Sequence, residues 1–246
     1  MEIKHVDRRI AVLLIAGICA VLFMYGAYGS VPEVEQLIIR ALPSMPRDMD
    51  GYLAVFFSAF LFLGLVPTIA TRVLGFNLRE IGMAMPVGQR PALLLLGLAL
   101  SGAIVGGIGA QFAPLKNFYP LSRRLIDFAS EYGSWTTIVH IAAYVCLFYL
   151  PWELFFRGIL ILPLIGTNQN SGSPTASSYM VIAGMQALPS ALLHIGHPLT
   201  ETIGSVFFGL AAAYFVVRTK SVFPSLCFHA AVGVALDVVI IAQAAG

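Results

Sequence analysis

The fold is decided by residues 136–164, which read TTIVHIAAYVCLFYLPWELFFRGILILPL. A membrane-spanning helix needs about 20 apolar residues, because each adds about 1.5 Å across a hydrocarbon core of about 30 Å. This run is long enough to cross a membrane, yet it contains Glu153 and Arg157. Charged groups inside a bilayer persist where they face a partner or a water-filled cavity. The run therefore predicts a spanning helix that borders a polar site.

The composition of the whole chain places it in the same class. Of its 246 residues, 59% are hydrophobic and only 11% are charged, and the mean hydropathy is +0.87. A soluble domain carries about 25% charged residues, so this chain has too few charges to cover a water-facing surface. We predict an all-α membrane protein, a single polytopic domain over residues 1–246 in contact with membrane lipid. The net charge of +2 is too small to indicate a nucleic-acid partner.

Apolar runs predict a bundle of about seven to eight transmembrane helices with a polar intramembrane cavity. Seven runs are long enough or nearly so: Ile10–Tyr28, Tyr52–Leu74, Pro91–Phe112, Thr136–Leu164, Met180–His194, Thr202–Val217 and Val222–Ala244. The fifth run is short and contains Pro189, so we expect it to be broken or to enter only partway. Gly29–Asp50 and Ala113–Ser134 mix charges with apolar residues, which is typical of interfacial helices.

Positively charged residues in the short loops indicate the orientation of the bundle. With the N terminus in the cytoplasm, more of the loop Lys and Arg residues fall on the inner side than on the outer side. We therefore expect a multi-pass protein of the plasma membrane with a cytoplasmic N terminus.

Ionisable residues gather in the C-terminal half of the chain. Eight of them lie in or at the edges of apolar runs: His140, Glu153, Arg157, His194, His197, Glu201, His229 and Asp237. Glu153 and Arg157 are four residues apart, so they share one helix face and can pair. Beside Arg157, Glu153 can stay an anion and act as a general base. The alternative is a neutralised pair that only fixes helix packing.

Two histidines lie in residues 193–201, which read LHIGHPLTE. A glycine and a proline follow His194 closely, so a helix ends near that residue. His194 and His197 could bind a metal ion with Glu201 or Glu153 as a further ligand, although the His-Glu-x-x-His zinc signature is absent from the sequence. The alternative is that these histidines only cap a helix or lie in the interface.

His229 and Asp237 lie on the last apolar run. They are separated by about 12 Å along a helix and by about 80° around it, so they cannot both touch one small atom. Asp237 therefore orients His229 through another group or serves elsewhere in the cavity. His140 has no partner apparent in the sequence, and we expect a satisfied core residue there.

These pieces together resemble the CPBP family, the CAAX-protease and bacteriocin-processing group also called Abi. The resemblance covers about residues 136–237 and is carried by WELFFRG at 152–158, by PSALLHxGxPxxE at 189–201, by RTKS at 218–221 and by the His229 segment. It implies a helical intramembrane endopeptidase similar to the type II CAAX prenyl endopeptidase, which removes a C-terminal tripeptide after a prenylated cysteine. The substrate so implied is a peptide or a lipidated peptide.

The resemblance also implies residue roles. In the family a glutamate and a histidine activate water, while a second histidine and an asparagine stabilise the oxyanion. By position, Glu153 and Arg157 match the second acid and the arginine of the first motif, and His194 and His229 match the two histidines. Two departures stand out, because Trp152 holds the place of the catalytic first glutamate and Gly233 that of the asparagine. Glu201 and Asp237 are candidates to supply what is missing.

We therefore predict an intramembrane endopeptidase that hydrolyses a peptide bond near the membrane with a water activated by glutamate and histidine. The predicted catalytic residues are Glu153, Arg157, His194 and His229, with His197, Glu201 and Asp237 in support. A zinc ion, if one is bound, would be held by His194, His229 and Glu153. The alternative is a catalytically inactive membrane binding or immunity factor on the same fold, and Trp152 and Gly233 favour it.

Overall fold

The computed structural model describes residues 3–28, 50–88, 90–165 and 176–245, and helices dominate this part of the chain. In chain order these are α1 (Ile3–Tyr28), α2 (Asp50–Ser58, Ala59–Leu65 and Val66–Val73), α3 (Pro91–Gly109), α4 (Ala113–Phe118), α5 (Arg124–Tyr132), α6 (within Trp135–Ile165), α7 (Ala176–Leu192), α8 (Leu199–Thr219) and α9 (Phe223–Ala245). The predicted all-α fold is confirmed. The interfacial helix expected in Gly29–Asp50 lies outside the described residues, apart from Asp50, where α2 begins.

Six helices of the described residues are long and apolar enough to cross a membrane: α1, α2, α3, α6, α8 and α9. The chain is a multi-pass membrane protein. The fifth predicted run forms α7, whose apolar part, Tyr179–Leu192, is shorter than the others. Of the two alternatives expected for this run, the break at Pro189 is absent, because α7 runs through that residue to Leu192. Pro189 removes one backbone hydrogen bond and crowds the carbonyl four residues earlier, but the helix continues for three more residues.

Helix α6 is the central element of the bundle. In its most apolar window 72% of the residues are buried inside the protein, against 11% to 39% for the other five spans. Two π-helical segments, Tyr144–Tyr149 and Leu154–Ile159, flank the α-helical turn Leu150–Glu153. Such wide turns are rare and often occur at functional sites, because they change which side chains share one helix face. The helix that decides the fold therefore also aims its polar residues inward.

Small residues bring α3 and α9 into close contact. A Cβ atom on Gly102 would collide with the carbonyl oxygen of Phe228, and one on Gly106 would collide with that of Val232. Glycines four residues apart lie on one helix face and let two backbones approach each other, as is typical of membrane helices. This contact fixes the position of α9, and with it the position of His229.

Candidate active site

A cavity of about 600 Å³ lies among α6, the turn between α7 and α8, α8 and α9. Its polar lining comes from these separate parts of the chain and includes Arg157, His194, His197, Glu201 and His229. Polar side chains far apart in sequence therefore share one cavity among the membrane helices.

Glu153 is buried between a cation and a histidine. Its Oε1 lies 2.7 Å from Nδ1 of His229, and its Oε2 lies 3.4 Å from Nε of Arg157. The side chains of Glu153 and Arg157 are 0% and 1% exposed, and Nη1 of Arg157 also donates to Oγ of Ser190 at 3.4 Å. The pairing expected from the four-residue spacing is present. Glu153 holds His229 and Arg157, and these two residues, in turn, line the cavity.

His194 lies in the turn just after α7 and has a defined tautomer. Its Nδ1 donates to the backbone carbonyl of Ser190 at 2.7 Å, so in the neutral ring Nε2 carries the free lone pair. Nε2 lies 3.8 Å from Oε1 of Glu201. Burial lowers the pKa of His194 to about 4, so the ring is neutral at physiological pH. A neutral imidazole with a free Nε2 is the form that can accept a proton.

Glu201, in the first turn of α8, carries the carboxylate that faces the cavity. Its Oε1 accepts hydrogen bonds from Oη of Tyr119 at 2.6 Å and from Nδ1 of His197 at 3.0 Å. Its Oε2 is buried and has no hydrogen-bond partner among the described residues. Burial, reinforced by the Glu201 carboxylate, raises the pKa of Tyr119 well above its ordinary value, so the hydroxyl remains a donor. One oxygen of Glu201 is thus held in place while the other is left for water or substrate.

Asp237 belongs to a separate buried cluster. Its Oδ2 lies 2.9 Å from Nε2 of His140, whose Nδ1 lies 2.5 Å from Oη of Tyr52. The three residues tie α9, α6 and α2 together inside the core. His140 is a satisfied core residue, as expected, but its partner is the carboxylate that the sequence analysis placed with His229 or in the cavity. Asp237 lies eight residues beyond His229, which directs it to a different neighbour.

The zinc site suggested by the sequence does not fit this arrangement. Within the described ranges, no three His, Cys, Asp or Glu side chains are placed to hold one metal ion. Arg157 lies 3.4 Å from one oxygen of Glu153, and His229 lies 2.7 Å from the other. A guanidinium cation against the carboxylate opposes a second cation there, and zinc needs its ligands near 2.0–2.2 Å. Glu153 and His229 are thus engaged with Arg157 and with each other, and the free nitrogen of His194 faces Glu201 instead.

Trp152 fills the position that the family resemblance assigns to a glutamate. Its ring meets the rings of Phe23 and His194 edge-on, with centroids 6.1 and 5.7 Å apart, and stacks against Phe148. The residue is 3% exposed. Trp152 therefore forms an apolar wall beside His194 and provides no carboxylate.

Two residues of this site, Tyr119 and Ser190, are not among those predicted from the sequence. Tyr119 lies 82 positions before the Glu201 it contacts, in a stretch with no recognisable motif. Ser190 supports His194 through its carbonyl group and Arg157 through its hydroxyl group. Its position four residues before His194 was the one signal available, because residues so spaced meet on a helix.

The comparisons with known proteins agree with the resemblance drawn from the motifs. Residues 134–235 match the model of a family described as type II CAAX prenyl endopeptidase Rce1-like. The matched segment runs from just before α6 into α9 and contains Arg157, His194, His197, Glu201 and His229, whereas Tyr119 lies before it. Neither a curated protein nor a solved structure matches the chain.

Proposed function

Residues 134–235 match the type II CAAX prenyl endopeptidase Rce1-like family model, and from this premise we propose that the chain is an intramembrane peptidase. The observation that carries the proposal is the shared cavity, which His194 and Glu201 line together with His229 of α9. Peptide hydrolysis needs a base for water and donors for the oxyanion, and the cavity offers candidates for both.

In this proposal His194 and Glu201 activate the attacking water. Nε2 of His194 lies 3.8 Å from Oε1 of Glu201, so a water molecule bound to Nε2 is within reach of the same carboxylate, whose Oε2 has no hydrogen-bond partner among the described residues. The water oxygen attacks the peptide carbonyl carbon as its proton passes to one of these two groups. The same group then returns the proton to the leaving amine nitrogen when the carbon–nitrogen bond breaks.

His229 stabilises the oxyanion. The buried Glu153 carboxylate holds Nδ1 at 2.7 Å, which sets the ring orientation. In the imidazolium form of the ring, the opposite nitrogen, Nε2, donates to the negative oxygen of the tetrahedral intermediate. Such donors act strongly in a cavity of low dielectric constant. In this proposal Glu153 and Arg157 are positioning residues, and the carboxylate of Glu201 replaces the glutamate that Trp152 displaces.

The substrate is a peptide at the membrane, and a lipid chain attached to it would find apolar walls in the cavity, such as Phe208 and Phe228. We place the chain in the plasma membrane as one polytopic domain with a cytoplasmic N terminus, which the distribution of loop Lys and Arg residues supports.

The test is cleavage of internally quenched peptides by the purified chain in lipid nanodiscs, with a prenylated and an unmodified version of each peptide. We expect turnover by the wild type and its loss in His194→Ala, His229→Ala and Glu201→Gln, by about 10²-fold or more for the last. Glu131→Gln, on the exposed end of α5, is the matched control and should stay active.

A binding or immunity factor on the same fold is the alternative, favoured by the packing of Trp152 beside His194. It predicts that the wild type binds a peptide without turnover and that Glu201→Gln binds it equally well. Absence of cleavage for every peptide, with binding retained, would replace the peptidase proposal by this one.

A further inference from the structure

The hydroxyl group of Tyr149 lies against the backbone of α9 at Gly233. A Cβ atom at position 233 would collide with the Tyr149 hydroxyl oxygen and its ring carbon Cζ. Gly233 follows His229 by four residues, so the two positions share one face of α9, a turn apart. The phenolic hydroxyl therefore occupies the space that a side chain at 233 would fill, next to the histidine.

Tyr149 also contacts His229 directly and faces the same cavity. The two rings meet edge-on, with centroids 4.8 Å apart and planes at 63°. Both residues line the cavity, and Tyr149 is 4% exposed. Tyr149 lies in a π-helical segment of α6, four residues before Glu153. One helix thus presents a hydroxyl beside His229 and a carboxylate behind it.

A tyrosine hydroxyl in this position has one proton that it can donate. An oxyanion is best stabilised by two or more fixed donors aimed at the same point, and they act most strongly where water is excluded. His229 supplies one donor in the proposed mechanism. Tyr149 lies beside His229 in the cavity lining and adds a second hydrogen-bond donor.

We propose that Tyr149 is a catalytic residue that donates its hydroxyl proton in a hydrogen bond to the oxyanion, beside His229. The inference rests on the proposed peptidase function and adds no covalent step. Glycine is required at position 233, because only a residue without a side chain leaves room for the Tyr149 hydroxyl.

The first test is Tyr149→Phe, which removes the hydroxyl and keeps the ring against His229. We expect kcat to fall by about 10²-fold with KM within about twofold, as for the loss of one oxyanion donor. Affinity for a phosphonamidate peptide, which mimics the tetrahedral intermediate, should fall by a similar factor, while affinity for the product peptide stays unchanged. Tyr214→Phe, 52% exposed on α8, is the matched control and should show none of these losses.

A second test exchanges the donor between helices. Tyr149→Ala opens the space at Gly233, and Gly233→Asn in the same chain returns an amide donor from α9. We expect the double variant to recover part of the kcat that Tyr149→Ala loses, whereas Gly233→Asn alone is inactive because its side chain collides with the tyrosine. Gly233→Leu in the Tyr149→Ala chain fills the same space without a donor and should recover no kcat; an equal recovery would mean that the hydroxyl only supported packing.

The possible outcomes distinguish a failure of the Tyr149 role from a failure of the peptidase function. A wild type that cleaves no peptide overturns the peptidase function and the role of Tyr149 with it. An active wild type whose Tyr149→Phe variant keeps its kcat overturns the role of Tyr149 alone. So does a Tyr149→Phe variant that loses kcat and thermal stability together while its affinity for the phosphonamidate is unchanged.

Discussion

At the scale of single residues, the two carboxylates of this site have different surroundings and different uses. Glu153 is enclosed by Arg157 and His229, with both oxygens directed at them. Glu201 is held through one oxygen by Tyr119 and His197, and its other oxygen lacks a partner in the described residues. A carboxylate with an unpartnered oxygen can bind water, whereas one whose two oxygens contact an arginine and a histidine positions those side chains.

The burial of the Glu153–Arg157 pair leads to a stability prediction. Glu153→Gln leaves the guanidinium of Arg157 buried without a counter-charge, and breaking a buried pair in this way costs about 3–5 kcal/mol. We expect a lower unfolding midpoint by thermal denaturation or by titration with SDS. Glu153→Gln combined with Arg157→Met removes both charges and should regain most of the loss. A single variant as stable as the wild type would mean that water reaches Arg157.

His194 leads to a pH prediction. Burial lowers its pKa from 6.5 to about 4, so the folded ring stays neutral where an unfolded one gains a proton. Between about pH 6.5 and pH 4 the unfolded chain binds more protons, so this group makes stability fall as the pH falls through that window.

Activity that depends on the neutral ring should persist to about pH 5. The measurement is kcat/KM against pH, with nitrogen chemical shifts of labelled histidine to assign the titration to His194; an acid limb from His194 near pH 6.5 would contradict it.

At the scale of elements, α6 and the α3–α9 contact set the geometry of the site. The two π-helical segments of α6 and the α-helical turn between them place Tyr149, Glu153 and Arg157 on the inner side of the bundle, near His229 of α9. The position of α9 depends on the close approach of its backbone to the glycines of α3. A shift of one helix by the width of a methyl group would therefore move His229 relative to α6.

The glycines of α3 provide a matched pair of substitutions. Gly106→Ala places a methyl group on the carbonyl of Val232 and should destabilise the protein by about 1–3 kcal/mol and reduce cleavage. Gly107→Ala, one residue later, meets nothing within 4 Å, so it should be neutral or gain about 0.5–1 kcal/mol from helix propensity. Unfolding midpoints of the two variants decide the matter. Equal midpoints would show that α3 and α9 are not held by this contact.

At the scale of the whole molecule, apolar and polar surface are arranged as a membrane demands. Large apolar side chains are exposed on the outer helices, as on α3, where Leu93, Leu96 and Ile104 are 58%, 55% and 64% exposed. Buried ionisable groups lie inside, in pairs or clusters that satisfy most of their polar atoms. This arrangement leaves a cavity that is lined mostly by apolar side chains and holds a few ionisable groups among them.

Helices and their approximate ends follow from the sequence because they depend on local properties. All seven predicted apolar runs coincide with helices, since run length and side-chain hydropathy decide whether a segment can cross a bilayer. The Glu153–Arg157 pair was predictable for the same reason, because four residues of helix bring them together. The motifs also led to the family whose model matches residues 134–235.

The sequence alone therefore determined the membrane class, the helices and the set of ionisable residues available for chemistry. Only the tertiary structure decided the partners: Glu201 faces His194, Asp237 meets His140, and Tyr149 reaches Gly233. These contacts join separate helices or opposite sides of a turn, and they depend on how each helix is rotated and packed. Side-chain spacing along one helix carries no information about rotation relative to another, because that is set by packing over the whole bundle.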